Sequence, residues 1–304
     1  NIMIRFTTYL FIYILTIAFS FSQVTTEEAL IQNEGIQLPG TLSFTKEKSP
    51  LIIWIHGSGG VDRNGNTPQY IKQFRNAINQ EKIAFFSYDK RTANVNNTAI
   101  LKDGVIFNDF VSDAKKVVNH FKNDKRFTEI ILAGHSQGSL VAILALKDVS
   151  KYISIAGAGE TIDKTLIKQV TKQNEYFGGL TEKYLKELKE TGQVKNVDPN
   201  LMSLFAPQNQ PFLSSWIALN PLEEIKKVKI PTLIINGNKD IQVQVTDAEN
   251  LKKAKSDASL VIINNMNHVL KDIQKNEDNM KSYFSADYPI SKELIKTVVT
   301  FVKK

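Results

Sequence analysis

The 304-residue sequence has no cysteine, which excludes disulfides, thiolate nucleophiles and cysteine-ligated zinc. Histidine is scarce as well. Imidazole chemistry of any kind falls on His56, His120, His135 or His268. The chain lacks the Gly-Lys-Ser/Thr signature of a phosphate loop and the glycine spacing of a dinucleotide site. Internal repeats and low-complexity tracts are absent too. A basic patch interleaved with aromatics is also missing: the formal charge is +7, but the lysines are spread among Glu and Asp along helical stretches. The basicity therefore reads as solubility, and no nucleic-acid partner is expected.

Hydrophobic residues make up 42% of the chain, enough for one substantial α/β core with an insertion. Residues 1–22 combine Arg5, a nearly uninterrupted apolar stretch from Phe6 to Phe21, and small residues Ser20 and Ser22. This pattern predicts a secretory signal cleaved between Ser22 and Gln23, with the start at Met3 or upstream. The stretch is short for a retained membrane anchor, and without cysteine no lipid can be attached at the cleavage site. The expected destination is the periplasm or the exterior, with no stable membrane anchor after cleavage.

Glu27–Gln32 and Ile36–Phe44 alternate around Asn33-Glu34-Gly35 and predict an antiparallel hairpin. Leu51–Ile55, Ile83–Tyr88, Ile130–Ala133, Ile153–Ala156, Thr232–Ile235 and Leu260–Ile263 are continuous apolar runs, as in strands covered on both faces. Between them Pro68–Gln80, Asn108–Phe121, Gln137–Lys147, Val245–Lys255 and Ser291–Lys304 carry helical spacing. Such alternation predicts an α/β fold with a mostly parallel central sheet and helices on both faces. The interval 159–221 has charged amphipathic stretches such as Leu180–Thr191 but no strand. It is expected to be a helical cap inserted between core segments 23–158 and 222–304, with Tyr176, Phe177, Phe205, Phe212 and Trp216 as candidates for its inner face.

The sharpest chemical signal is Ile130–Ala133 running into Gly134-His135-Ser136-Gln137-Gly138 and then a helix. A strand–turn–helix junction of this type projects a serine hydroxyl above a sheet, and the following helix aims its amino terminus at a developing oxyanion. Ser136 is thus the candidate nucleophile and the Gln137 N–H a candidate oxyanion donor. Serine needs a base. His120 lies within a helix, His135 is expected to turn away from its neighbour Ser136, and His56 ends a strand. His268 alone occupies a late loop after a buried run, and is the candidate base. Asp240, after Thr232–Ile235 and a Gly-containing turn, is the candidate acid, with Glu160 as its rival. The order Ser136, Asp240, His268 is that of an α/β hydrolase. The loop His56-Gly57-Ser58-Gly59-Gly60 offers a second oxyanion donor, Ser58 N–H first and Gly59 second.

These pieces, together with Asp62-Arg63-Asn64, Tyr88-Asp89-Lys90-Arg91, Gly237-Asn238-Lys239-Asp240 and Asn267-His268, resemble the α/β-hydrolase superfamily. Within it they are similar to bacterial esterases related to dienelactone hydrolase and cinnamoyl esterases. Many relatives follow the Asp-x-Arg with glycines where this chain has Thr92-Ala93-Asn94, so no substrate carries over from that loop. Asp62, Arg63 and Arg91 are expected to brace loops, with anchoring of an anionic substrate group as the alternative.

The expected activity is hydrolysis of a small-molecule or glycan-linked carboxylic ester through an acyl-enzyme, with no metal or organic cofactor. A peptidase or acyltransferase with the same triad, and a non-catalytic ligand-binding protein on the same fold, are the alternatives.

Overall fold

The computed structural model describes residues 23–304, so the expected signal at 1–22 lies outside the described residues. Eight strands form one sheet: β1 (Thr25–Asn33), β2 (Ile36–Phe44), β3 (Ser49–Ile55), β4 (Ala84–Tyr88), β5 (Phe127–His135), β6 (Lys151–Ile155), β7 (Thr232–Gly237) and β8 (Ser259–Ile263). Their spatial order is β1-β2-β4-β3-β5-β6-β7-β8. The first two pair antiparallel about the Glu34–Gly35 turn, where both residues have positive φ, and β2 meets β4 antiparallel. From β4 to β8 every pairing is parallel.

Alternate residues of the central strands enter separate cores. Leu51, Ile53 and Ile55 of β3, Ile130 and Leu132 of β5 and Ile234 of β7 pack on one face beneath the helices Phe107–Phe121, Gln137–Ile143 and Val245–Ala254. Ile52 and Trp54, Ile131 and Ala133, and Leu233 and Ile235 pack on the other beneath Tyr70–Gln80 and Lys292–Val302. Both faces are buried, which is why these strands read as unbroken apolar runs.

Helix ends are the main departure from expectation. The segment expected to be helical over Gln137–Lys147 stops at Ile143, because the chain must turn back to start β6 at Lys151, and Asp148 adopts φ 64° to do so. The helix expected from Pro68 starts at Tyr70, after Gln69 takes a left-handed conformation.

Between β6 and β7 lie the helices Ile162–Gln173, Glu175–Thr191, Met202–Phe205 and Gln210–Ile217. Asn174 caps the second by accepting from Phe177 N–H, and Gly192 ends it with φ 79°. Tyr184, Leu185, Leu188, Val194, Leu201, Phe205 and Leu213 give this interval its own apolar cluster. The chain re-enters the main core through the helix Pro221–Lys226, whose Ile225 is fully buried.

Candidate active site

Ser136 stands between the end of β5 and the first residue of the helix Gln137–Ile143, at φ 54° and ψ −122°. A non-glycine residue in that region is strained and persists only where its surroundings over-determine it. The surroundings here are close backbone approaches. A Cβ on Gly138 would lie 2.1 Å from Ile55 O, and one on Gly134 would lie 2.3 Å from Gly138 O. Ser136 N–H donates to Ile155 O at 2.9 Å, tying the turn to the neighbouring strand. The two glycines let β3, β5 and the helix converge below the serine.

Asp240 and His268 are both buried, and the His268 ring meets Asp240 Oδ2 through Nδ1 at 2.7 Å. The other carboxylate oxygen of Asp240 accepts from Gln242 N–H at 2.8 Å and Val243 N–H at 2.9 Å. The two backbone N–H groups and the His268 ring together hold the Asp240 carboxyl in place. Glu160 instead binds Lys168 and Thr165, at 2.5 and 3.3 Å. Ser136 and His268 line the same cavity. Of the two hydrogen bonds that would link the three residues, the structure contains the one between His268 and Asp240. The loop carrying His268 is held by Asn267, which donates to Asn279 Oδ1 and Ser282 Oγ and accepts from Lys271 N–H.

The His135 side chain, expected to turn away from Ser136, packs against His268. The turn carries it beneath His268, with ring centroids 4.9 Å apart, and it also stacks on Trp54. Its Nε2 lies 2.8 Å from His268 O, which requires the N–H on that nitrogen. Burial lowers the His135 pKa to about 3, with the proximity of His268 adding to the effect. The ring is therefore neutral, and in the sequence only its adjacency to Ser136 marks it.

Gly57 approaches the serine closely, since a Cβ there would lie 3.2 Å from Ser136 Cβ, and Gly57, Ser58 and Gln137 all line the cavity. As the first residue of its helix, Gln137 has a backbone N–H without an intrahelical acceptor. Behind this loop His56 Nε2 bonds Tyr88 O, and burial lowers its pKa to about 4 with nearby Lys90 contributing. Lys90 is buried too. Its ammonium donates to Gly57 O at 2.6 Å and Gln137 Oε1 at 2.7 Å, and desolvation lowers its pKa to about 7 against the opposing field of Asp113.

The cavity measures about 560 Å³ and is lined by apolar residues that include Leu140, Leu213, Phe212 and Trp216, and by the polar Glu160, Gln169, Asn209 and Gln242. Of the five aromatics expected on the inner face, only Phe212 and Trp216 line it. Phe205 is buried in the interval's own cluster, Phe177 packs against that cluster, and Tyr176 is 67% exposed. The charged residues of the loops after β3 and β4 act as braces: Arg63 binds Asp89 and Glu28, Arg91 binds Asp113, and Asp62 accepts from Asn64 and Asn66 N–H. Among the described residues no group of three or more His, Asp or Glu side chains is arranged to hold a metal ion.

The BD-FAE family model matches residues 38–254, which contain Ser136, Asp240 and the Gly57–Ser58 loop. The chain belongs to the BD-FAE family. This member is 22% identical over 245 residues to the esterase EstD of Thermotoga maritima, a match covering 77% of the chain and 58% of that relative's length. In three dimensions it is similar to Est1E from Butyrivibrio proteoclasticus, with a TM-score of 0.57, 18% identity and coverage of 91% of this chain and 99% of that one. It is likewise similar to dienelactone hydrolase from Anabaena variabilis, with a TM-score of 0.56, 14% identity and coverage of 92% and 97%. The BD-FAE chain thus has the α/β-hydrolase fold.

Proposed function

We propose that this BD-FAE chain hydrolyses small-molecule carboxylic esters by nucleophilic catalysis. The observation that carries the reading is the strained Ser136 opening into the same cavity as His268, whose ring Asp240 fixes at 2.7 Å. In this mechanism Ser136 Oγ adds to the ester carbonyl while His268 Nε2 takes its proton, with Asp240 holding the imidazole tautomer and stabilising its cation. The resulting oxyanion accepts from Ser58 and Gln137 N–H. Return of the proton from His268 to the alcohol oxygen releases the alcohol, and water then repeats the cycle on the acyl-enzyme. The apolar lining of Leu140, Phe212, Leu213 and Trp216 favours a hydrophobic acyl or alcohol group.

In this reading the helical interval 159–221 is a cap that selects substrates without taking part in the chemistry. Residues 1–22 are a signal, so the mature protein begins at Gln23 outside the cytoplasm. Intact-mass measurement on exported protein tests the second point, and retention of residues 1–22 refutes it. For the activity, purified protein is expected to turn over p-nitrophenyl esters and to be labelled at Ser136 by a fluorophosphonate, with both lost in Ser136→Ala. Absence of labelling and turnover in the folded protein would leave a ligand-binding role instead. Preferential turnover of aminoacyl amides would mark a peptidase.

A further inference from the structure

Lys90 is buried and does not line the cavity of Ser136, yet it touches Gly57 and Gln137, on either side of the proposed oxyanion site. Its ammonium donates at once to Gly57 O (2.6 Å) and to the side-chain carbonyl of Gln137 (2.7 Å), while packing 4.3 Å above the Phe110 ring. Among the described residues it forms no ion pair within 4 Å: the nearby carboxylate of Asp113 is taken by Arg91 through two contacts of 2.7 Å. A lysine buried without a carboxylate partner is costly, and its donors here serve only a peptide carbonyl and an amide. The backbone adds a third tie, Lys90 N–H to Val61 O at 3.0 Å, which anchors the end of β4 to the far side of the Gly57–Gly60 loop.

We propose that Lys90 is a positioning residue for the oxyanion hole, holding the Gly57–Ser58 peptide so that the Ser58 N–H faces the substrate carbonyl. The geometry is that of a planar trans amide, in which the carbonyl and the following N–H point in opposite directions. The described chain has no cis peptide. With Gly57 O drawn back onto Lys90, Ser58 N–H is directed away from Lys90, on the side where Gly57 and Ser58 line the cavity. Gly57 is free to take the required orientation because it carries no side chain to press on Ser136 Cβ. The second contact holds the Gln137 side chain, so one group touches both residues whose backbone frames the site. Either protonation state of Lys90 retains at least two N–H donors, and the two contacts survive across neutral pH.

The inference rests on the serine-hydrolase reading, and its test separates the two. A short alkyl trifluoromethyl ketone adds to Ser136 and places an oxyanion in the hole, so its inhibition constant reads hole geometry directly. Lys90→Met is expected to weaken ketone inhibition and lower kcat by a similar factor, roughly ten- to a hundredfold, because loosening a donor costs less than removing one outright. KM should stay within about twofold, since the interaction is made in the transition state. Lys90→Gln, one atom shorter and unable to span both acceptors, serves where the Met variant fails to fold, and should lose at least severalfold in the same two quantities. Either variant, folded by circular dichroism and binding the ketone within twofold of wild type, overturns the role of Lys90. So does a loss that appears equally in KM, which marks a general loosening of the site. Failure of wild-type protein to bind the ketone at all overturns the underlying hydrolase reading instead.

Discussion

His135 Nε2 lies 2.8 Å from the backbone carbonyl of His268, so the residue preceding Ser136, the proposed nucleophile, holds the loop that carries the proposed base. Strand β5 thereby positions both: Ser136 by its turn, and His268 by a hydrogen bond from the neighbouring ring. The contact requires the proton on Nε2, and burial beside Trp54 and Tyr70 is what keeps the imidazole neutral.

The two buried histidines predict acid sensitivity. Their pKa values fall from an ordinary value near 6.5 to about 3 for His135 and about 4 for His56. Between those limits the unfolded chain binds more protons than the folded one, so stability rises with pH. It is fully present above about pH 6.5 and is lost as pH falls toward the folded values, by at most a few kcal/mol for each histidine. Thermal melts from pH 7 to pH 4 are expected to show Tm falling across this window, with a shallower slope in His135→Gln. A slope unchanged by that substitution contradicts the assignment.

Asp240 and Glu160 make opposite predictions. Asp240→Asn removes the acceptor that orients His268 and is expected to lower ester turnover by about ten-thousandfold in folded protein. Glu160→Gln breaks contacts only with Lys168 and Thr165 and should keep most of the activity. Reversed results in steady-state assays would move the acid to Glu160.

Gly138 tests the turn itself. A methyl group there would sit 2.1 Å from Ile55 O and 2.5 Å from His56 O, both rigid backbone atoms. Gly138→Ala is expected to destabilise the chain by on the order of 3 kcal/mol and to displace Ser136. Loss of Tm together with slower fluorophosphonate labelling checks it. Unchanged values in both would mean that the strand and helix separate freely.

The cavity aromatics divide by position. Phe212 and Trp216 line the cavity, whereas Tyr176 is 67% exposed. Alanine at Phe212 or Trp216 is expected to raise KM for hydrophobic p-nitrophenyl esters about tenfold more than for acetate, since each buried aromatic contact is worth roughly 1–2 kcal/mol. Tyr176→Ala should change neither. Equal effects at all three positions would reduce the interval 159–221 to a structural role.

Local sequence determined the order of strands and helices and the Ser136 turn, because apolar periodicity and the Gly134–Gly138 spacing express burial and backbone crowding within a few residues. It also carried both candidates for the acid and favoured Asp240, through its Gly-containing turn and its closeness in sequence to His268, but each follows a buried run, so sequence alone left Glu160 as a rival. Only the tertiary structure decided between their contacts: β7 and β8 bring Asp240 against His268, whereas Glu160 is drawn to Lys168 on the helix Ile162–Gln173. The same holds for the aromatics, where a helix has two faces and composition does not say which one meets the cavity. His135 and Lys90 were illegible for a further reason. Each acts on a backbone carbonyl, at His268 and at Gly57, and a carbonyl is present at every residue, so nothing in the sequence marks the one that the fold delivers.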